Sequence, residues 1–165
     1  MNNDIRAEIV TLIPRLRRFS FSLCGSPHDA DDLVQGGIEK ALNNLASFKP
    51  GTRLDSWLFR IIQNLWIDQL RSGKHQGVTV NLDEVAMMPG EDGRQTTETE
   101  LMLGKTRQAI LQLPADQRSL VALVLVEGYA YQEAAAILEI PLGTVMSRLA
   151  RARKTLAQQL QPGDN

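Results

Sequence analysis

Cysteine occurs once in this chain, at Cys24, so no internal disulfide is possible, and such usage suits a reducing compartment. The only histidines, His28 and His75, stand without ligand-like spacing, which argues against a metal site. No apolar run is long enough to span a bilayer and no secretory leader is visible, which predicts a soluble, cytoplasmic protein without membrane insertion. No nucleophile–base pair stands out, so an enzyme is the weakest reading, and no cofactor is expected. No internal repeat is visible. Formal net charge is only -1, so the chain lacks the overall basic balance of a protein held to nucleic acid by bulk charge. That charge is unevenly placed. Asp83, Glu84, Glu91, Asp92, Glu98 and Glu100 crowd one stretch, answered there only by Arg94, which leaves the flanking segments more basic than the total suggests.

What is present is helical periodicity. In the first part Ile5, Ile9, Leu12, Leu16, Phe19 and Leu23 recur at spacings of three and four, predicting an amphipathic helix bent near Pro14, with Arg15, Arg17 and Arg18 as solvated surface charge. Ser26, Pro27 and Asp29 are start signals for a second helix, running to about Leu45 with an acidic outer surface. Gly36-Gly37 is costly in mid-helix, about 1 kcal/mol each relative to alanine; either the helix is weak there or a neighbour packs very close. After a turn-rich loop, the stretch from Arg53 to Ser72 is apolar nearly all round, which predicts the centre of a bundle, with Trp57 and Trp66 as core. Its polar exceptions Arg60, Gln63, Asn64, Arg71 and Lys74, together with Lys49 and Arg53, make a basic strip suited to a nucleic-acid backbone.

From Gly73 to about Thr97 periodicity is lost among glycine, proline and acids, as in a flexible linker, although Leu82, Val85, Met87 and Met88 are candidates to dock on a neighbouring surface. Helical pattern then resumes. The run Leu120 to Val126 is read as helix rather than buried strand, since no partner strand occurs elsewhere. The resulting expectation is an all-α chain of two small bundles: residues 1–73, a flexible linker over 74–97, and 98–165.

The last stretch, Gly128 to Leu160, reads as a helix-turn-helix. Tyr131 to Glu139 forms its first helix, Ile140-Pro141-Leu142-Gly143 interrupts, and Thr144 is placed to cap the second. Val145, Leu149, Ala152, Leu156 and Leu160 form an apolar stripe, leaving Ser147, Ala150, Arg151 and Lys154 opposite it with Thr144 and Arg148 on a flank. In such motifs the second helix enters the major groove, and an arginine fork grips guanine or phosphate. A solvated basic face on an ordinary packing helix would carry the same residues.

Taken in order, DADDLVQ at Asp29 to Gln35, FKPGTRLDSWLFRIIQNLWIDQLR at Phe48 to Arg71, LPADQR at Leu113 to Arg118, GYAYQEAAAIL and IPLGTVMSRLARARKTL resemble the extracytoplasmic-function (ECF) sigma factors of the sigma-70 family. The resemblance implies a transcription initiation factor with no active site of its own. It implies polymerase-core docking on the beta-prime clamp helices through Asp32, Leu33, Gln35 and Glu39, and a further contact with the beta flap. It implies contact with the promoter element nearer the start site through Lys49, Arg53, Arg60, Asn64 and Arg71, and with the distal element through Thr144, Ser147, Arg148, Arg151 and Lys154. An anti-sigma factor is an implied partner. The chain departs from the family pattern at Gly36-Gly37, where an acid and a bulky residue are usual, at Met146, where a base is common, and at Ala134 and Ala150. The alternative function is a sigma-like decoy that sequesters an anti-sigma factor.

Overall fold

A computed structural model describes residues 2–73 and 97–161, and every regular element among them is helical. Asp83, Glu84, Glu91 and Asp92 of the acidic stretch, Lys74, and the proposed docking residues Leu82, Val85, Met87 and Met88 lie outside the described residues. In the first bundle α1 (Asn2–Cys24), α2 (Pro27–Asn43) and α3 (Leu54–Arg71) pack on one another. The second comprises α4 (Thr97–Leu111), α5 (Ala115–Val121), α6 (Tyr131–Leu138) and α7 (Leu142–Leu160).

The start of α2 follows its sequence signals. The Ser26 hydroxyl accepts from the Asp29 amide at 3.4 Å, Pro27 sits in the first turn, and the helix ends at Asn43 before a 3-10 turn over Leu45–Ser47. The glycine pair has two separate explanations. A Cβ on Gly37 would lie 2.7 Å from Ile62 Cγ1, so α2 and α3 touch there at a distance only glycine permits. At Gly36 the nearest neighbour is Leu65 Cδ1 at 3.6 Å, an ordinary contact. The bundle closes over Leu16, Phe19, Leu33, Leu58, Phe59, Ile62 and Trp66, all essentially without solvent contact. Burial of each such side chain is worth about 1.5–3 kcal/mol. Trp57 is only half-buried, tilted against Phe48 at 5.2 Å. Pro14 lies inside α1, which continues through it as one helix.

The apolar run after Pro114 is helical but not uniform. It opens as α5 and widens over Ala122–Val126 into a π-turn, in which the Glu127 amide reaches the Ala122 carbonyl at 2.9 Å. Leu120 to Leu123 are buried, while Leu125 and Val126 face solvent. Gly128 then takes a positive φ of 79°. This exit directs Glu127 and Tyr129 away from their own bundle and toward α1 and α3.

The turn of the helix-turn-helix differs from the sequence expectation in two respects. The left-handed residue is Glu139 (φ 56°), and the amide of Ile140 bonds back to the Ala135 carbonyl at 3.0 Å, a C-terminal cap usually built on glycine. Thr144 does not cap α7. That helix starts at Leu142, and Pro141 occupies the cap position with its carbonyl accepting from the amides of Thr144 (3.1 Å) and Val145 (3.2 Å). Proline fixes the extended-to-helical entry that the sequence reading assigned to the threonine hydroxyl.

Candidate nucleic-acid and polymerase interfaces

On α7 the predicted stripe faces inward: Val145, Leu149, Ala152 and Leu156 are buried against α4, α5 and α6. The opposite face presents Ser147, Arg151 and Lys154 to solvent, with Ala150 beside them and Met146 54% exposed. Thr144 and Arg148 are half-buried on the flank. Arg148 Nε lies 3.4 Å from Asp116 Oδ2 on α5, so part of its charge is answered within the bundle. The Ser147 hydroxyl donates to the Thr144 carbonyl at 3.2 Å, leaving its lone pairs outward. An amphipathic helix held on three sides, with polar side chains near its start, has the form needed to enter a major groove.

The residues grouped for the proximal element meet along the outer edge of α3 and the loop before it. Lys49, Arg53, Asn64 and Arg71 are exposed and Arg60 is half-buried. Two of the five are already engaged. Arg53 donates through Nε (3.2 Å) and Nη2 (2.8 Å) to the Asp55 carboxylate and through Nη1 to Glu133 on α6. Arg60 Nη2 donates to the Ala136 carbonyl at 2.7 Å, and its Nη1 is 3.6 Å from Glu139.

The α2 residues separate by depth. Asp32, Gln35 and Glu39, at spacings of three and four, form an exposed row on one face, whereas Leu33 is 1% exposed and belongs to the core beneath them. Gly37 also faces inward, toward Ile62, so it is not part of that row.

A buried cluster was not legible in the sequence. Arg15 and Arg18, read there as solvated charge, turn toward the second bundle because its π-turn delivers acceptors to them. Arg18 holds Glu127 by paired bonds of 2.9 and 2.8 Å, and the Glu127 side chain is 1% exposed. Arg15 donates to Asp55 (3.2 Å) and to the Tyr129 hydroxyl (3.0 Å), which in turn donates to Asp55 at 2.8 Å. Of the three arginines, Arg17 alone keeps the predicted exposed place, paired with Asp31 at 2.8 Å. The Tyr129 ring continues an edge-to-face chain from Phe19 through Phe59, with centroids 4.8 and 5.5 Å apart. Burial, then the bond to Asp55, pushes the Tyr129 hydroxyl pKa well up. Burial also works to raise that of Asp55, but bonds from Arg53, Tyr129 and the Ser56 amide outweigh it and hold the carboxyl below its ordinary value. Two other inward groups were also missed. The Cys24 thiol is buried, with its pKa pushed up to about 12, and is unreactive in that form. Arg118 of the LPADQR segment is 4% exposed and donates to the Leu111 carbonyl at 3.0 Å, tying the end of α4 to α5. No group of side chains suited to a metal ion occurs among the described residues, and no helix among them is long and apolar enough to cross a membrane.

These two bundles coincide with two known modules. Residues 9–76 match Sigma-70 region 2 and residues 103–156 match Sigma-70, region 4. The chain is 36% identical over 160 residues to the ECF RNA polymerase sigma factor EcfG of Rhodopseudomonas palustris, covering 97% of this chain and 87% of that one. It is 30% identical over 174 residues to ECF RNA polymerase sigma factor SigW of Bacillus subtilis, covering 97% and 91%. Its fold is similar to that of the sigma factor RpoE, solved in complex with the anti-sigma factor NepR from Bartonella quintana, with a TM-score of 0.78 and 32% identity over 98% of this chain and 99% of that one. A chain that carries both regions in order and aligns along nearly its whole length with such relatives belongs to the ECF group of RNA polymerase sigma factors.

Proposed function

We propose that this sigma factor brings core polymerase to promoters by placing its two bundles on separate promoter elements. In this reading residues 1–73 hold the core enzyme and the proximal element, 74–97 connect, and 98–165 read the distal element. The observation that carries it is the outward face of α7, where Ser147, Arg151 and Lys154 stand clear of the apolar stripe that fixes the helix. Thr144 and Arg148 complete the distal contact from the flank. Lys49, Arg53, Arg60, Asn64 and Arg71 take the proximal element, with arginine forks on phosphate or base oxygens. On α2 the exposed Asp32, Gln35 and Glu39 meet the beta-prime clamp helices, with Leu33 as the packing beneath them, and the second bundle meets the beta flap. Tethering two weak contacts raises the effective concentration of the second. The chain supplies no chemistry; the polymerase does.

An anti-sigma factor as regulator is supported by the related Bartonella quintana protein, which was captured with one. The test is run-off transcription with purified core polymerase on promoter DNA from the chain's own locus. A defined start site is expected. A protein that binds an anti-sigma factor but yields no transcript would instead be a decoy.

A further inference from the structure

Helix α7 carries a second apolar row, which the bundle does not cover. Val145, Leu149, Ala152 and Leu156 are buried against the other helices. Leu142, Met146 and Ala150 stand at spacings of four on the solvent side, with Leu142 39% and Met146 54% exposed. The row ends at Arg153, whose guanidinium lies 5.8 Å from the centre of the Tyr131 ring, so it is confined to the first turns of the helix. One position further on, Gly143, Ser147 and Arg151 run beside it, also exposed. A Cβ on Gly143 would meet nothing within 4 Å, so no bulk holds the helix start away from a groove floor. The two rows lie side by side: one carries polar side chains and the other none.

We infer that Leu142 and Met146 recognise thymine in the distal element through its C5 methyl group. This rests on the placement of α7 in the major groove. There every base pair presents hydrogen-bonding groups, and thymine alone adds an apolar one. Ser147 and Arg151 suit the first kind of group; an exposed leucine and methionine one turn apart suit only the second. The unbranched methionine chain can adapt its course to meet a methyl group. Cytosine in the same place would present an amino donor, which two apolar side chains leave without a partner, so the row selects as well as binds. Its continuity with Ser147 and Arg151 puts it on the same surface as the polar contacts. Its size argues against a protein occupant: three side chains, one an alanine, fall far short of the roughly 800 Å² per partner that a stable protein interface buries.

The experiment uses holoenzyme assembled from core polymerase and the full chain, on promoter DNA from the chain's own locus. Each thymine upstream of the proximal element is replaced singly by deoxyuridine, which keeps its base pair and loses only the C5 methyl. Competition binding reads the cost. The parent is expected to lose about fourfold at one or two of these positions, the worth of one buried methyl. With Met146→Ala, or with Leu142→Ala at a neighbouring position, thymine and deoxyuridine should bind alike there. Arg151→Ala should bind more weakly yet keep the methyl effect. Both apolar side chains are exposed, so their removal should leave the helical circular dichroism and its melting unchanged. No methyl effect anywhere in the parent, a distal element without thymine, or an effect that survives in Leu142→Ala/Met146→Ala each overturns the inference. So does a double variant that binds core polymerase more weakly and DNA unchanged, which would make the row a protein contact. Should neither Ser147→Ala/Arg151→Ala nor the apolar pair weaken DNA binding, α7 does not enter the groove and both readings fall. Should the polar pair weaken it while no thymine shows a methyl effect, this inference alone falls.

Discussion

The two helices assigned to DNA, α3 and α7, solve opposite packing problems. Helix α7 is amphipathic: one stripe is buried and the other face is open, so Arg151 and Lys154 are exposed. Helix α3 is enclosed by α1, α2 and α6 and keeps only a narrow polar edge. Arginine serves in both, but its situation depends on what lies opposite. On α7 nothing acidic faces Arg151 within bonding distance among the described residues, whereas α6 brings two carboxylates to the edge of α3. A basic residue in the sequence is therefore a candidate DNA contact; whether it is free to act is decided by a neighbour tens of residues away.

The largest expected effect comes from the point that pins α3. Gly37→Leu places a side chain where even a Cβ would sit 2.7 Å from Ile62 Cγ1. Overpacking of this kind costs about 1–3 kcal/mol or more, and the strain falls on two helices at once. Thermal melting by circular dichroism should show the first bundle destabilised by at least that much. Gly36→Ala, with ordinary space around it, should be neutral or stabilising by up to about 1 kcal/mol. Equal losses at both positions would mean that the pair weakens α2 rather than admitting α3.

Much of this was legible in the sequence because it is local. Helix periods, the Ser26 start and the α7 stripe follow from neighbours three or four residues apart. Gly36-Gly37 was visible as an anomaly, but only the placement of Ile62 separates its two members. The Arg15, Arg18, Glu127, Tyr129 and Asp55 cluster joins residues up to 114 positions apart and depends on the π-turn after α5, which no spacing rule announces. Thr144 misled for a related reason. A threonine before an apolar stripe resembles a cap, but Pro141 begins the helix one turn earlier.

A second contrast lies within α7. Arg151→Ala should weaken binding to duplex DNA carrying the distal element by about 1–3 kcal/mol if its fork grips a base. Arg148→Ala should cost less, because that guanidinium also has Asp116 at 3.4 Å to leave. Titrations at several salt concentrations separate the cases. Loss of a phosphate contact lowers the salt slope by roughly 1, while loss of a base contact mainly relaxes sequence preference. Neither change should alter single-strand binding through the α3 edge. A shared loss would show that the two helices do not act on separate elements.

The smallest expected effect concerns how firmly the start of α3 is tied to the second bundle. The Asp55 carboxylate accepts from Arg15, Arg53, Tyr129 and the Ser56 amide, and its pKa is held below the ordinary carboxylate value. A group depressed in the folded state contributes stability that is fully present above its unfolded pKa of about 3.9 and is lost as pH falls through the folded value. Asp55→Asn should therefore melt below the parent at pH 7, by roughly 1 kcal/mol, since Arg53 is largely exposed and water screens its share. The gap should stay constant down to about pH 5 and shrink below about pH 4, as the parent's own carboxylate becomes protonated. A gap that instead widened in acid would mean that Asp55 is protonated in the folded state and that Tyr129 is held in place by its ring packing alone.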